Sequence, residues 1–82
     1  MEIQEQIVRE IQKLFTTISK TKKYNRGAYG NFKMEFDEKN HQNIHSASAT
    51  LYTDEDIDNY KLYVITDITN TKIVNAYYLP TE

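Results

Sequence analysis

The chain contains no cysteine, a single proline and two glycines among its 82 residues. Without cysteine, neither disulfides nor thiolate metal sites can reinforce the fold, and stability is left to a packed core. No apolar run approaches the ~20 residues that a membrane span requires. The N-terminus reads Met1-Glu2-Ile3-Gln4. No basic segment leads from it into an apolar run, so no secretory signal is expected and the cytoplasm is the expected compartment. An excess of basic charge is also missing. The formal net charge is −2, which argues against a protein built to blanket nucleic acid. Neither an internal repeat nor a linker is visible, and a chain of this length makes one small domain, residues 1–82. What the chain does have is 39% hydrophobic and 27% charged residues, enough for a thin core. High use of Ile, Asn, Lys and Tyr is a bias shared by AT-rich genomes and their mobile elements.

The most legible pattern runs from Ile3 to Ile18. Ile3, Ile7, Val8, Ile11, Leu14, Phe15 and Ile18 recur at three- and four-residue steps. At roughly 100° per residue they occupy an arc of about 140°, which predicts an amphipathic helix over about residues 2–20. Glu2 and Glu5 near its start and Lys20, Lys22 and Lys23 past its end suit the helix dipole. Residues 20–31 read as a basic connection carrying Tyr24 and Tyr29 and closing on Gly27 and Gly30, either a turn-rich loop or a ragged strand start.

From Asn31 the period changes to two. Alternation predicts strands over about 31–37, 44–53, 60–68 and 73–79, the last ended by Pro80. Polar turns fall at 38–43 and 69–72, and a strongly acidic one at Thr53 to Asn59. An even final connection puts Ile73, Tyr77 and Leu79 on the Leu62/Val64 face; an odd one puts Val74, Ala76 and Tyr78 there.

The expected fold is therefore α+β: one N-terminal helix packed on a four-stranded antiparallel sheet, an αββββ meander in two layers. Phe32, Met34, Phe36, Ala47, Ala49, Leu51, Leu62 and Val64 are expected beneath the helix. The other sheet face, carrying Lys33, Glu35, Ser46, Ser48, Thr50, Tyr52, Lys61, Tyr63 and Ile65, is left uncovered. Such a face can be solvated or can receive a partner, since tyrosines give large contact area at low entropy cost.

Motifs for chemistry mostly fail on inspection. The run Asp54-Glu55-Asp56-Ile57-Asp58-Asn59 resembles the first half of an EF-hand loop, but Asn59 stands where the sharp turn needs Gly and Ile65 where a bidentate Glu closes the shell. His41 and His45, expected at the surface, fall on a turn and a strand and do not form a ligand pair. His45 with Ser46 or Ser48 lacks an acid to orient the imidazole. Glu35, Asp37 and Glu38 cluster without a cleft to shift their pKa values. No metal or cofactor is expected, and no catalytic set. The segment Arg26 to Phe32 misses the RNA-recognition strand motif in register, and Gly27-Ala28-Tyr29-Gly30 has the GxxG of KH domains without their second helix.

Two functional expectations follow. The first is a small non-catalytic protein-binding module, a stoichiometric inhibitor or adaptor. In size and composition the chain resembles compact inhibitors encoded by phages or mobile elements, including anti-defence and immunity-type proteins. Occlusion of a protein partner would be steric and electrostatic, through Tyr52, Tyr63 and Ile65 on the open face and Asp54, Glu55, Asp56 and Asp58 in the acidic turn. The alternative is a nucleic-acid-binding accessory protein using Lys20, Lys22, Lys23, Tyr24, Arg26 and Tyr29 within the basic stretch 20–33. Positive charge at 20–26 and negative charge at 35–38 and 54–58 suggest a dipolar surface. The poorly charged strand Ile73–Leu79 leaves a homodimer through that edge open.

Overall fold

A computed structural model describes residues 2–81. It comprises a helix α1 (Ile3–Ser19) followed by strands β1 (Arg26–Asp37), β2 (Gln42–Tyr52), β3 (Ile57–Asp67) and β4 (Ile73–Thr81). The strands form one antiparallel sheet in the order β1-β2-β3-β4, a meander, with α1 laid on one face. The smallest dimension, 18 Å, is that of one sheet and one helix.

The apolar stripe of α1 buries Ile7, Ile11 and Ile18 against Ala47, Ala49, Leu51, Leu62 and Val64. Alanines at 47 and 49 keep that strand's inner face low and let the helix approach. α1 begins without a side-chain cap; the Glu2 carbonyl accepts from the Glu5 and Gln6 amides. Its end is closed by Thr21, whose amide and hydroxyl both donate to the Ile18 carbonyl at 3.0 and 2.8 Å.

Three strands begin earlier than their alternation suggests, β2 slightly, at Gln42, and β1 and β3 by more. β1 starts at Arg26, so the second half of the expected loop 20–31 is strand; Gly27 pairs with Leu51 and Tyr29 with Ala49. Gly27 there lies in close contact with the side chains over it. A Cβ would come within 3.0 Å of Phe15 Cζ, 3.1 Å of Leu51 Cγ and 3.2 Å of the Thr50 carbonyl oxygen. The break in period at Asn31 is a bulge: the register shifts between Gly30 and Lys33, and Asn31 takes a φ of 58°. β3 likewise starts at Ile57, which shortens the acidic turn to Thr53–Asp56.

Phe32, Met34 and Phe36 are not core. They are 57%, 58% and 53% exposed, although Met34 and Phe36 pair with the inward-facing His45 and Asn43. The reason lies in where the helix sits: α1 packs along β2, β3 and β4 and touches β1 at its first half, through Phe15. The final hairpin combines the two registers left open by the sequence. Ala76 pairs with Val64 and Tyr78 with Leu62, but a shift between Ile65 and Thr66 brings Ile73 rather than Val74 towards the core.

Candidate functional site

The sheet face away from α1 is built by strict alternation. Since Ala47, Ala49, Leu51, Leu62 and Val64 point at the helix, Ser46, Ser48, Thr50 and Tyr52 of β2 and Lys61, Tyr63 and Ile65 of β3 point away. Pairing extends the rows across the sheet. Arg26, Tyr52 and Ile57 lie side by side, as do Lys33, Ser46, Tyr63 and Tyr77, and as do Gly30, Ser48, Lys61 and Leu79. The Tyr63 and Tyr77 rings stack with centroids 5.0 Å apart and 24° between planes. The Arg26 guanidinium lies 4.3 Å from the centroid of the Tyr52 ring, close enough for a cation–π contact. Ile57 and Leu79 are 62% and 51% exposed. Ile65 shares this face yet is buried, so it forms part of its floor rather than its contact surface.

The acidic turn and the basic stretch, separated by about thirty residues of chain, are neighbours. Asp58 Oδ2 accepts from Lys22 Nζ at 2.9 Å and from the Tyr24 hydroxyl at 2.7 Å. Asp54 accepts from Asn25 Nδ2 at 2.7 Å. The Lys22 ammonium and the Tyr24 hydroxyl hold the Asp58 carboxyl below its usual range, and Asp58 raises Lys22 in return. Burial, then the hydrogen bonds to Tyr60 and Asp58, push the Tyr24 phenol well above its ordinary value. At this end the positive and negative segments thus face each other instead of forming opposite poles. Glu55 and Asp56 remain exposed, their amides donating to Thr53 Oγ1.

This packing also places the candidates for nucleic-acid contact. Tyr24 and Tyr29 pack against the core, Tyr29 with its centroid 4.8 Å from that of Phe15. Lys22 is paired with Asp58. Lys20, Lys23 and Arg26 are exposed, but Arg26 belongs to the open face with Tyr52.

Sequence reasoning missed two further features. His45 is buried at 8% exposure, not a surface residue. Its Nε2 lies 3.1 Å from Asn70 Oδ1 and 3.3 Å from Thr66 Oγ1, and Thr66 Oγ1 donates to Asn70 Oδ1 at 2.5 Å. Asn43 Nδ2 reaches the carbonyls of Asp67 and Ile68, both at 3.2 Å. These polar residues anchor the β3–β4 turn from beneath. The second feature is a groove of about 370 Å³ between α1 and the far half of β1, lined by Ile7, Val8, Ile11, Phe32, Met34 and His45 among others. Its only sequence signal is that Phe32, Met34 and Phe36 share a face.

Among the described residues, no helix is long and apolar enough to cross a membrane. No protein-family model matches the chain, and no curated protein or solved structure matches it.

Proposed function

We propose that the chain is a small non-catalytic protein-binding module, a stoichiometric inhibitor or adaptor of the phage or mobile-element type. It receives its partner on the uncovered sheet face. The observation that carries this reading is the aromatic row on that face: the Tyr63–Tyr77 stack and the Arg26–Tyr52 pair, flanked by exposed Ile57 and Leu79. Rings already held by neighbours lose little freedom on binding, and Tyr and Arg are the residue types that most often dominate interface energetics. Glu55 and Asp56 at one end and Lys61 within the face supply a charged rim that orients the encounter. Occlusion would then be steric at the aromatic row and electrostatic at the rim. A nucleic-acid reading of residues 20–33 has less to draw on, because two of its rings pack against the core and one of its lysines is paired with Asp58 at the surface.

The test is affinity capture from cells of the protein's source, with mass spectrometry, comparing the wild type with Tyr77→Ala/Leu79→Ser. Both substituted side chains are exposed, and circular dichroism checks that the fold is kept. A protein recovered in near-equimolar amount with the wild type and lost with the variant is the expected result. Equal recovery by both, or recovery of nucleic acid alone that is lost with Lys20→Glu/Lys23→Glu, would remove the reading.

A further inference from the structure

Beyond its bulge, β1 is open on both faces: every residue from Asn31 to Phe36 is exposed. Among the described residues its outer edge has no neighbouring strand, because the sheet order puts β1 at the margin. A strand edge with unpaired amides and carbonyls, flanked by two phenylalanines and a methionine, is a template for another strand. The stretch Phe32-Lys33-Met34-Glu35-Phe36 is moreover its own complement when read antiparallel about Met34. Phe32 then stands opposite Phe36 of a second copy, Lys33 opposite Glu35, and Met34 opposite Met34.

We propose that a second copy of this chain docks on that edge, two-fold about Met34, joining the two four-stranded sheets into one of eight strands. A two-fold axis normal to the sheet keeps each face on its own side. The phenylalanines and methionines of both copies gather between the two helices, beside the half-exposed Val8, and close the open side of both grooves. On the other face two Lys33–Glu35 pairs form across the joint, where cross-strand opposite charges are favourable. The bulge at Asn31, with its positive φ, ends the pairing and confines it to the self-complementary stretch.

The areas involved suit a modest dimer. Phe32, Met34 and Phe36 each leave a little over half of their surface open. At roughly 200 Å² for a large side chain, six such residues contribute about 600 Å². Val8, the aliphatic stems of Lys33 and Glu35 and the strand edges bring the total to roughly 1,000 Å², the low end for a specific pair. The opposite edge is less suited. β4 contains Pro80, which lacks an amide donor, and its sequence Ile73-Val74-Asn75-Ala76-Tyr77-Tyr78-Leu79 sets no charge against its complement.

Sedimentation velocity on the purified chain tests this, from about 1 µM to about 300 µM, the range such an area supports. The wild type is expected to pass from 9.7 kDa to twice that mass as concentration rises. Lys33→Glu sets carboxylate against carboxylate twice over and Glu35→Lys sets ammonium against ammonium. Each is expected to weaken association by at least about tenfold, since symmetry counts every change double. Mixing the two single variants restores opposite charges across the joint and is expected to give a heterodimer; the double variant K33E/E35K is expected to recover the homodimer. Lys33 and Glu35 are exposed, and circular dichroism confirms that each variant folds. A wild type that stays monomeric throughout, single variants that dimerise as well as the wild type, or single variants that do not pair when mixed would each overturn the proposal. So would a dimer abolished by Val74→Lys on β4 and indifferent to K33E, or a monomeric chain whose Met34→Lys variant loses a captured protein. Sedimentation uses the purified chain alone, so a negative result there is distinct from failure of the partner-binding reading, which capture tests.

Discussion

Asp67 is the residue on which the β3–β4 turn depends. Its Oδ1 accepts from the amides of Thr71 and Lys72 at 2.7 and 3.0 Å, and its Oδ2 from the hydroxyls of Thr69 and Thr71 at 2.8 and 2.5 Å. The Thr71 hydroxyl and the Lys72 amide in particular hold its carboxyl far below the ordinary value of 3.8. A carboxylate depressed in the folded state stabilises the fold fully above its unfolded pKa, and that contribution is lost as pH falls through the folded value. Asp58 and Asp37 shift in the same direction, held by Lys22 and Asn40 respectively, so they add to the same acid limb. Asp67→Asn is therefore expected to melt at a lower temperature than the wild type near pH 7, with the gap narrowing below about pH 4. Thermal denaturation at several pH values checks this; a gap that stays constant into acid would show that the turn does not depend on the charge.

At the scale of elements, α1 is the one that covers the core, and its two flanks contribute unequally. Ile11 is 1% exposed beneath the helix, whereas Val8 is 42% exposed beside the groove. Ile11→Ala is expected to cost about 2–5 kcal/mol by transfer and cavity terms, and Val8→Ala less than about 1 kcal/mol. Urea titration of both variants reads the contrast, and equal losses would mean that the groove flank is packed as tightly as the core. That contrast marks the limit of what the sequence conveys. A 3.6-residue period identifies α1 and its stripe, and a period of two identifies β2 and β3, because both are local consequences of burying one side. Neither period states how wide a sheet one helix can cover. The common facing of Phe32, Met34 and Phe36 was legible, and their exposure was not. The first half of β1 was obscured for a related reason: Gly27 looks like a turn residue until Phe15 is seen resting on it. Of the candidate site, Tyr52 and Tyr63 follow from alternation alone. The tie of Asp58 to Lys22 joins positions too far apart in the chain for any local pattern to reveal.

The whole molecule is a sheet whose cover is offset towards one edge, and its internal stability should be graded accordingly. β2 and β3 are central, paired on both sides, and hold Ala47, Ala49, Leu51, Leu62 and Val64 under the helix. β4 is paired on one side, yet α1 packs along it. The far half of β1 is paired on one side and has neither face covered. Local opening is least costly where few buried apolar contacts hold the backbone hydrogen bonds. Amide hydrogen exchange on dilute, monomeric protein is therefore expected to show the longest protection in β2 and β3, less in β4, and the least strand protection at 32–36. The Arg26–Tyr29 half of β1 is expected to exchange more slowly than 32–36, because Phe15 and Tyr29 pack over it and Asn25 and Lys22 tie its approach to the β2–β3 end. The gradient would be refuted if residues 32–36 were protected as strongly as β2 at concentrations where the chain sediments as a monomer. In that case the strand would be stabilised from within one copy, and the exposed phenylalanines would have to be held by something other than an edge-to-edge neighbour.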